Sequence, residues 1–269
     1  MAQSSHLFRE ERLQLILERL LADGKVFVAD LAKRFGLSRS TIRNDLAKLQ
    51  SRGLLVRTYG GAVLPEQVDT HLVVRKSTLR QRAEQHRAEK EAIGRAAAGL
   101  VSDGDTIMID GGSTTHYVVR HLLDKRGLTF VTNATSLLPD LLSISDADIW
   151  LTGGFLHRGF ETALGEASIE VLERFRATKA ILGIDGVSLQ GGFTATNSSV
   201  ARAKQKMAAS SAQVIIVCDH TKFGQVCLIP IARIEEIDYL VTDSGAPSDA
   251  VEAIRARGTT VIVAPVHES

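Results

Sequence analysis

One stretch of this chain has the make-up of an anion cradle. In Asp110-Gly111-Gly112-Ser113-Thr114-Thr115, two glycines precede three hydroxyl side chains, directly after an apolar run and directly before a helical one. Glycine lets backbone N–H groups approach an anion, the hydroxyls add donors, and a following helix N-terminus favours negative charge. Other polar groups follow apolar runs in the same way: Thr132-Asn133, Thr152-Gly153-Gly154, Asp185-Gly186, Asp219-His220 and Thr242-Asp243. The cradle is neither a GxxxxGK[ST] loop nor a GxGxxG turn, so nucleoside triphosphate and dinucleotide motifs are excluded at this point.

A second constellation lies near the N-terminus. Ser38, Arg39, Ser40, Thr41, Arg43, Asn44 and Lys48 share the outward side of a predicted helix whose other side carries Ile42, Leu46 and Leu49. Hydroxyls and a helix N-terminus hold phosphates, while Arg and Asn have the fork geometry that reads guanine and adenine edges. Arg57, with Tyr59 at the following turn, is placed to reach a phosphate or the minor groove. The charge agrees. Residues 1–100 carry 18 Lys+Arg against 11 Asp+Glu, and the remainder 14 against 20, so a net of +1 hides a basic head on an acidic body.

These residues need elements to hold them. Leu13, Ile16, Leu17 and Leu20 mark a helix from about Arg9 to Ala22. A short helix runs Ala29 to Phe35, Gly36 stops it, and Ser38 is the N-cap of a third helix, Arg39 to about Ser51. Leu54–Thr58 and Ala62–Leu64 make a hairpin around Tyr59-Gly60-Gly61. Helix, three-residue turn, basic helix and hairpin together predict a winged helix-turn-helix over residues 1–64. Residues 65–78 are polar with little periodicity, a predicted linker. Leu79 to Leu100 reads as one long helix. Beyond it, apolar runs at Thr106–Ile109, Thr129–Val131, Asp148–Leu151, Lys179–Ile184, Val214–Cys218, Tyr239–Val241 and Thr260–Val263 alternate with helical segments at 114–123, 136–142, 166–175, 201–210 and 248–257. That pattern predicts an α/β domain over 79–269 with a mostly parallel sheet, whose ligands bind at the strands' carboxyl ends.

Composition narrows the classes. The chain has 269 residues, 44% of them hydrophobic, which suits two globular domains rather than a disordered chain. No apolar run approaches the roughly 18 residues of a membrane span. Two cysteines, one inside the apolar run Val214–Cys218, argue against a disulfide scaffold or a cysteine zinc site. Met1–His6 has no basic-then-apolar leader pattern, and the expectation is a cytoplasmic protein.

The residues from Val28 through Leu46, with Val28-Ala29-Asp30-Leu31-Ala32-Lys33-Arg34-Phe35-Gly36-Leu37-Ser38-Arg39 at their start, and then Gly53-Leu54-Leu55-Val56-Arg57-Thr58-Tyr59-Gly60-Gly61-Ala62, closely resemble the head of DeoR-family bacterial transcription regulators. The body resembles the same family at Asp110–Thr115, Val131–Asn133, Gly153-Gly154, Gly183–Ser188, Gly191–Asn197, Lys204 and Asp219–Gly224. Where the family usually has two arginines before its Asp-Leu pair, this chain has Arg43-Asn44, a departure on the reading face. The resemblance implies a body similar in fold to ribose-5-phosphate isomerase that binds a phosphorylated sugar or sugar alcohol. It also implies a repressor of a catabolic operon that leaves its double-stranded operator when the metabolite binds, and a homo-oligomer, dimer or tetramer.

On that reading Gly111, Gly112, Ser113, Thr114 and Thr115 hold the phosphate, and Lys204 and Lys222 supply positive charge. Thr132, Asn133, Asp185 and Asp219 meet sugar hydroxyls, and Gly153, Gly154, Gly186 and Asn197 complete the site. Asp110 either joins them or caps its own loop. His116 follows the cradle and is expected to pack. No metal is expected at His220, which has no second His or Cys close in sequence, and no cofactor is expected. The competing class is a sugar-phosphate isomerase with Asp185 as base. Against it, many family members carry a glutamate four residues before the lysine matching Lys204, where this chain has Val200. A third reading, a DNA-binding scaffold whose body only oligomerises, is disfavoured by the intact cradle.

Overall fold

The computed structural model describes residues 9–23, 25–51, 55–58, 60–63 and 79–266. The chain divides into two compact units, residues 1–75 and 76–269. Among the described residues, no helix is long and apolar enough to cross a membrane.

The first unit is three helices and a small sheet. Helix α1 (Arg9–Asp23) leads into strand β1 (Lys25–Phe27), then α2 (Val28–Phe35), α3 (Arg39–Ser51), β2 (Val56–Thr58) and β3 (Gly61–Val63). The strands pair antiparallel in the order β1-β3-β2, so the expected hairpin gains a third strand, Lys25–Phe27. Gly36 ends α2 in the left-handed region at φ 66°, which a glycine adopts without strain. Ser38 Oγ accepts the Thr41 N–H at 3.1 Å and so caps α3. Leu13, Ile16 and Leu20 of α1, Leu31 of α2 and Ile42, Leu46 and Leu49 of α3 close one core with Leu55 and Ala62.

That core contains one ion pair. Arg12 Nε donates to Asp45 Oδ2 at 2.6 Å and its Nη2 to Oδ1 at 3.3 Å, both side chains nearly buried. The two-point bond fixes the rotation of α3 against α1, because a guanidinium fork meets a carboxylate in one plane only. Removing one partner of such a pair costs about 3–5 kcal/mol, since the other charge stays buried. Arg12→Met should therefore lower the hydrogen-exchange protection of α1 and α3 by roughly two orders of magnitude or more. Protection equal to wild type would show that the pair contributes nothing.

The second unit opens with α4 (Leu79–Glu84) and α5 (Arg87–Ala98). There follow β4 (Thr106–Ile109), α6 (Thr115–Arg120), β5 (Thr129–Thr132), α7 (Leu138–Leu141), β6 (Asp148–Leu151), β7 (Phe155–His157), β8 (Thr162–Leu164) and α8 (Glu166–Arg174). Then come β9 (Ala177–Gly183), β10 (Gly186–Ser188), β11 (Gly192–Ala195), α9 (Ser198–Ala209), β12 (Ser211–Val217), β13 (Ile229–Ala232), β14 (Tyr239–Asp243), α10 (Ser248–Arg255) and β15 (Thr260–Ala264). Seven strands form one parallel sheet in the order β15-β14-β12-β9-β4-β5-β6. All seven are the apolar runs recognised in the sequence. Side chains alternate between two cores: Ile107 and Ile109 enter one and Met108 the other, as Ile215 and Val217 do against Ile216.

Two features depart from the expected pattern. Residues 79–100 are two helices, not one. His86 breaks them in a left-handed conformation at φ 53°, and the buried Lys90 Nζ donates to the carbonyls of Arg82, at 2.6 Å, and Gln85 at the end of α4. A side-chain amine that takes up terminal carbonyls substitutes for the missing helical turn. The body also holds a β7-β8 hairpin and an antiparallel sheet β10-β11-β13. Their strands are three or four residues long, too short for a period to be read.

Candidate functional site

In the first unit, α3 turns Arg39, Ser40, Arg43, Asn44 and Lys48 to the exposed side, while Ile42, Leu46 and Leu49 are buried. The helix therefore presents a basic and amide face opposite its apolar one. Ser38 Oγ lies 2.7 Å from Ser40 Oγ and 2.8 Å from Thr41 Oγ1, so these hydroxyls form the cap as well as lining the helix start. Arg57 lies on β2, and Tyr59 falls outside the described residues.

In the second unit the chain leaves β4 toward β5 and β6 on one side, then returns to β9 and β12 on the other. The gap between β4 and β9 is thus a switch point, where the loops after neighbouring strands diverge and leave a crevice. Asp110 stands at that point, fully buried. Its Oδ1 accepts the Gly183 N–H at 2.8 Å and its Oδ2 accepts from Lys204 Nζ. Lys204, buried on α9, also donates to Gly183 O at 2.6 Å. Burial pushes Asp110 above the usual carboxylate range, opposed by Lys204 and the Gly183 N–H.

Lys204, expected to supply positive charge to the phosphate, here has its charge matched by Asp110 and donates to Asp110 Oδ2 and Gly183 O. Asp110 in turn is a structural anchor of the loop. Thr115, expected to hold the phosphate, is fully buried, and its hydroxyl reaches Asp110 O and Gly112 O at 2.9 Å each. Gly111 is a place of close approach, where a Cβ would stand 2.8 Å from Thr162 Oγ1 and 3.0 Å from Ala134 Cβ. Gly111, Gly112 and Ser113 are half-buried at the rim and Thr114 lies just beneath.

The remaining candidates divide in the same way. Thr132 Oγ1 donates to Ile109 O at 2.7 Å, and Asn133 Nδ2 donates to Ala163 O at 3.1 Å, so both pin loops together. Asn133 Oδ1 is buried with no bonded partner. Asn197 caps α9 through the Ser199 and Val200 N–H groups. Gly153 and Gly154 turn the chain from β6 into β7, and Gly186 opens β10. Asp185 is half-buried, its Oδ2 accepting from Thr196 N and Oγ1 at 2.9 Å. Asp219 is buried after β12 and bonded by Thr221. Burial pushes Asp219 up, but Lys222, Thr221 and Lys90 outweigh it and hold the carboxyl below its ordinary value. Lys222 is half-buried beside it.

A cleft of about 460 Å³ lies against α6, lined by His116, Tyr117, Arg120, Ser136 and Asp140 among others. His116 Nδ1 is 3.0 Å from Asp140 Oδ2. Ser136 Oγ is buried there without a bonded partner. Only His116 among these was singled out in the sequence. Ser136 and Asp140 sit on the short segment after β5, where no motif marks them.

Lys90 gives the site a measurable signature. Burial lowers it from an ordinary 10.5 to about 8, with Asp219 opposing and Lys222 adding to the fall. Between about 8 and 10.5 the unfolded chain keeps a proton that the folded chain has lost, so the contribution of Lys90 to stability rises with pH across that window. The unfolding free energy of wild type minus that of Lys90→Met should therefore grow from pH 8 to pH 10. A difference independent of pH would contradict this.

A family model described as the DeoR C terminal sensor domain matches residues 85–244, and one described as the DeoR-like helix-turn-helix domain matches residues 12–68. The transcriptional repressor AccR of Agrobacterium fabrum is 35% identical over 240 residues, which cover 88% of this chain and 90% of that one. The glycerol-3-phosphate regulon repressor of Escherichia coli strain K12 is 32% identical over 240 residues, 89% of this chain and 92% of that one. Among solved structures, ribose 5-phosphate isomerase from Plasmodium falciparum matches at 16% identity and a TM-score of 0.37, covering 50% of this chain and 52% of that one. That likeness is too remote to bear on activity.

Proposed function

The chain belongs to the DeoR family of helix-turn-helix transcriptional regulators, and from that premise we propose that it represses an operon for carbohydrate or sugar-alcohol breakdown and leaves its operator when a phosphorylated metabolite binds the α/β unit. The observation that carries the reading is the outer face of α3, where Arg39, Arg43, Asn44 and Lys48 are exposed, while Ile42, Leu46, Leu49 and the paired Asp45 are buried. A helix of this make-up enters the major groove, with Arg43 and Asn44 at base edges and the capped N-terminus against phosphates. The protein acts in the cytoplasm as a homo-oligomer, so paired heads meet a two-fold operator.

The metabolite's phosphate is received by the rim at Gly111, Gly112, Ser113 and Thr114, with Lys222 as cation and Asp185 and Asp219 facing hydroxyls. This assignment is supported by the switch-point geometry and by the exposure of the loop's rim. The body is a sensor and not an isomerase. Val200 packs against the core where a shuttling carboxylate would be needed, and Asp185 is engaged by Thr196.

Two double variants test the division of labour. Arg43→Ala with Asn44→Ala should weaken operator binding by about 1–3 kcal/mol per lost base contact while metabolite binding stays intact. Ser113→Val with Thr114→Val should leave operator binding at the wild-type level but keep the protein on DNA when the sugar phosphate is added. Fluorescence anisotropy with a labelled operator reads both, and the wild-type complex should weaken steeply with salt. Release of the Ser113/Thr114 variant at the wild-type metabolite concentration would place the phosphate elsewhere. Separately, NMR of the protein with pentose and hexosamine phosphates should show no turnover above background, and conversion abolished by Asp185→Asn would overturn the sensor reading.

A further inference from the structure

Four side chains that the proposed function leaves unused converge beside the carboxyl ends of β12 and β14. His86 and Glu89 come from the break between α4 and α5, His220 follows β12, and Asp243 ends β14. His86, Glu89 and His220 each bring one donor atom within 4.8 Å of the other two. His86 Nδ1 stands 3.4 Å from Glu89 Oε1. Two ligands bonded at about 2.0–2.1 Å to a tetrahedral ion are themselves roughly 3.3–3.4 Å apart, so this pair is already at coordination spacing. The His86 and His220 rings meet edge to face with centroids 5.2 Å apart.

The fourth residue decides which nitrogen of His220 is available. His220 Nδ1 is 2.8 Å from Asp243 Oδ2. The Asp243 carboxylate is buried and held in place by the N–H groups of His220, at 2.7 Å, and Gly245, at 2.9 Å. With Nδ1 donating to that carboxylate, Nε2 is the nitrogen of the neutral ring left to bind a metal. Histidines that bind metals are oriented by a carboxylate in this way. The neighbouring Lys90 amine does not compete for Glu89, since it is engaged by the Arg82 and Gln85 carbonyls.

We propose that His86, Glu89 and His220 form a binding site for a divalent transition metal, with Asp243 orienting His220. Two imidazole nitrogens and one carboxylate oxygen suit zinc, cobalt or nickel, and are a poor set for magnesium or calcium, which take oxygen ligands. Three protein ligands leave one tetrahedral position for water or a ligand oxygen. The ion would join the α4–α5 break, which His86 enters at φ 53°, to the loop after β12. The sequence hid this site because His220 has no ligand near it along the chain, and its partners arrive only through the fold.

The experiment uses the full-length protein freed of metal with chelator, then titrated with Zn²⁺ by calorimetry and with Co²⁺ by visible absorption. Wild type should bind one ion per chain at this site and give the intense Co²⁺ band of a four-coordinate complex. His86→Asn keeps a residue that tolerates the left-handed conformation but removes the imidazole. His86→Asn and Glu89→Gln should each weaken Zn²⁺ binding at least about tenfold and abolish the band, and Asp243→Asn should weaken it by about 10–100-fold. Thermal unfolding in chelator, where no ion is bound, checks that each variant folds. If Asp243→Asn does not fold, the His86→Asn and Glu89→Gln results decide. Wild type that gives no four-coordinate Co²⁺ band, or His86→Asn and Glu89→Gln variants that bind as wild type does, would overturn the proposal.

Discussion

The buried pair of Asp110 and Lys204 sets the geometry at the mouth of the parallel sheet. Two charges taken out of water cost several kcal/mol each, and their attraction offsets this only when the remaining hydrogen-bonding positions are filled. Here one residue supplies a further bond to each partner. Gly183 donates its N–H to Asp110 and accepts from Lys204 through its carbonyl, closing a ring across β4, β9 and α9. The ring forms only if β4 and β9 are neighbours with their ends level. Correct assembly of the switch point is therefore rewarded, and an assembly that misplaces any of the three elements leaves a bare charge inside. The loop from Gly111 to Thr114 hangs from this ring, and Thr115 ties its far end back to Asp110 O and Gly112 O.

Legibility from sequence followed the physics of each element. The inner parallel strands could be read because burial on both faces demands uninterrupted apolar runs, and Ile107-Met108-Ile109 or Val214–Val217 contain nothing else. Gly36 and Ser38 could be read because cap chemistry is local. The break at His86 could not, since no proline or glycine stands between Arg80 and Ile93 and the break is held by side chains: Lys90 reaching back to the Arg82 and Gln85 carbonyls, and His220, distant in sequence, against the His86 ring. The sites show the same divide. Polar residues at strand ends located the crevice, but the sequence cannot say whether a polar side chain faces the ligand or holds the loop. Lys204, Thr115, Thr132 and Asn197 each bond to other parts of the body, a role that their residue types do not distinguish from ligand contact.

The two units solve the same problem alike. In the first, Arg12 and Asp45 place a buried charge pair behind α3, on the side opposite Arg43 and Asn44. In the second, Lys204 and Asp110 do so behind the cradle. Hydrophobic burial alone is non-directional and would leave α3 free to rotate by a fraction of a turn, or the cradle to slide by a residue. Either shift moves a fork-shaped donor out of line with its acceptor. A buried ion pair adds direction, because the cost of misalignment rises steeply with angle. The stability gained from such a pair is small or absent relative to an apolar replacement, so its use here lies in orientation.

That arrangement constrains how an anion bound at the rim can be felt by the rest of the body. A phosphate at Ser113 and Thr114 brings negative charge toward Asp110, whose own charge is matched by a single lysine. The closest adjustable cation is Lys204, and moving it means moving α9, whose N-terminus is capped by Asn197. Helix α9 packs on α8, on β13 and β11 of the antiparallel sheet, and on β12 and β9 of the parallel sheet, so a displacement at the switch point bears on α8 and the antiparallel sheet as well as on those two strands. The inner strands β12, β9, β4 and β5 are buried toward their carboxyl ends and cannot yield there without opening a cavity, at roughly 1 kcal/mol for each methyl-sized void, whereas the edge strand β6 is largely exposed. If the rim receives the phosphate as proposed, the elements around α9 are the ones placed to respond to it, because α9 carries the lysine that pairs with Asp110.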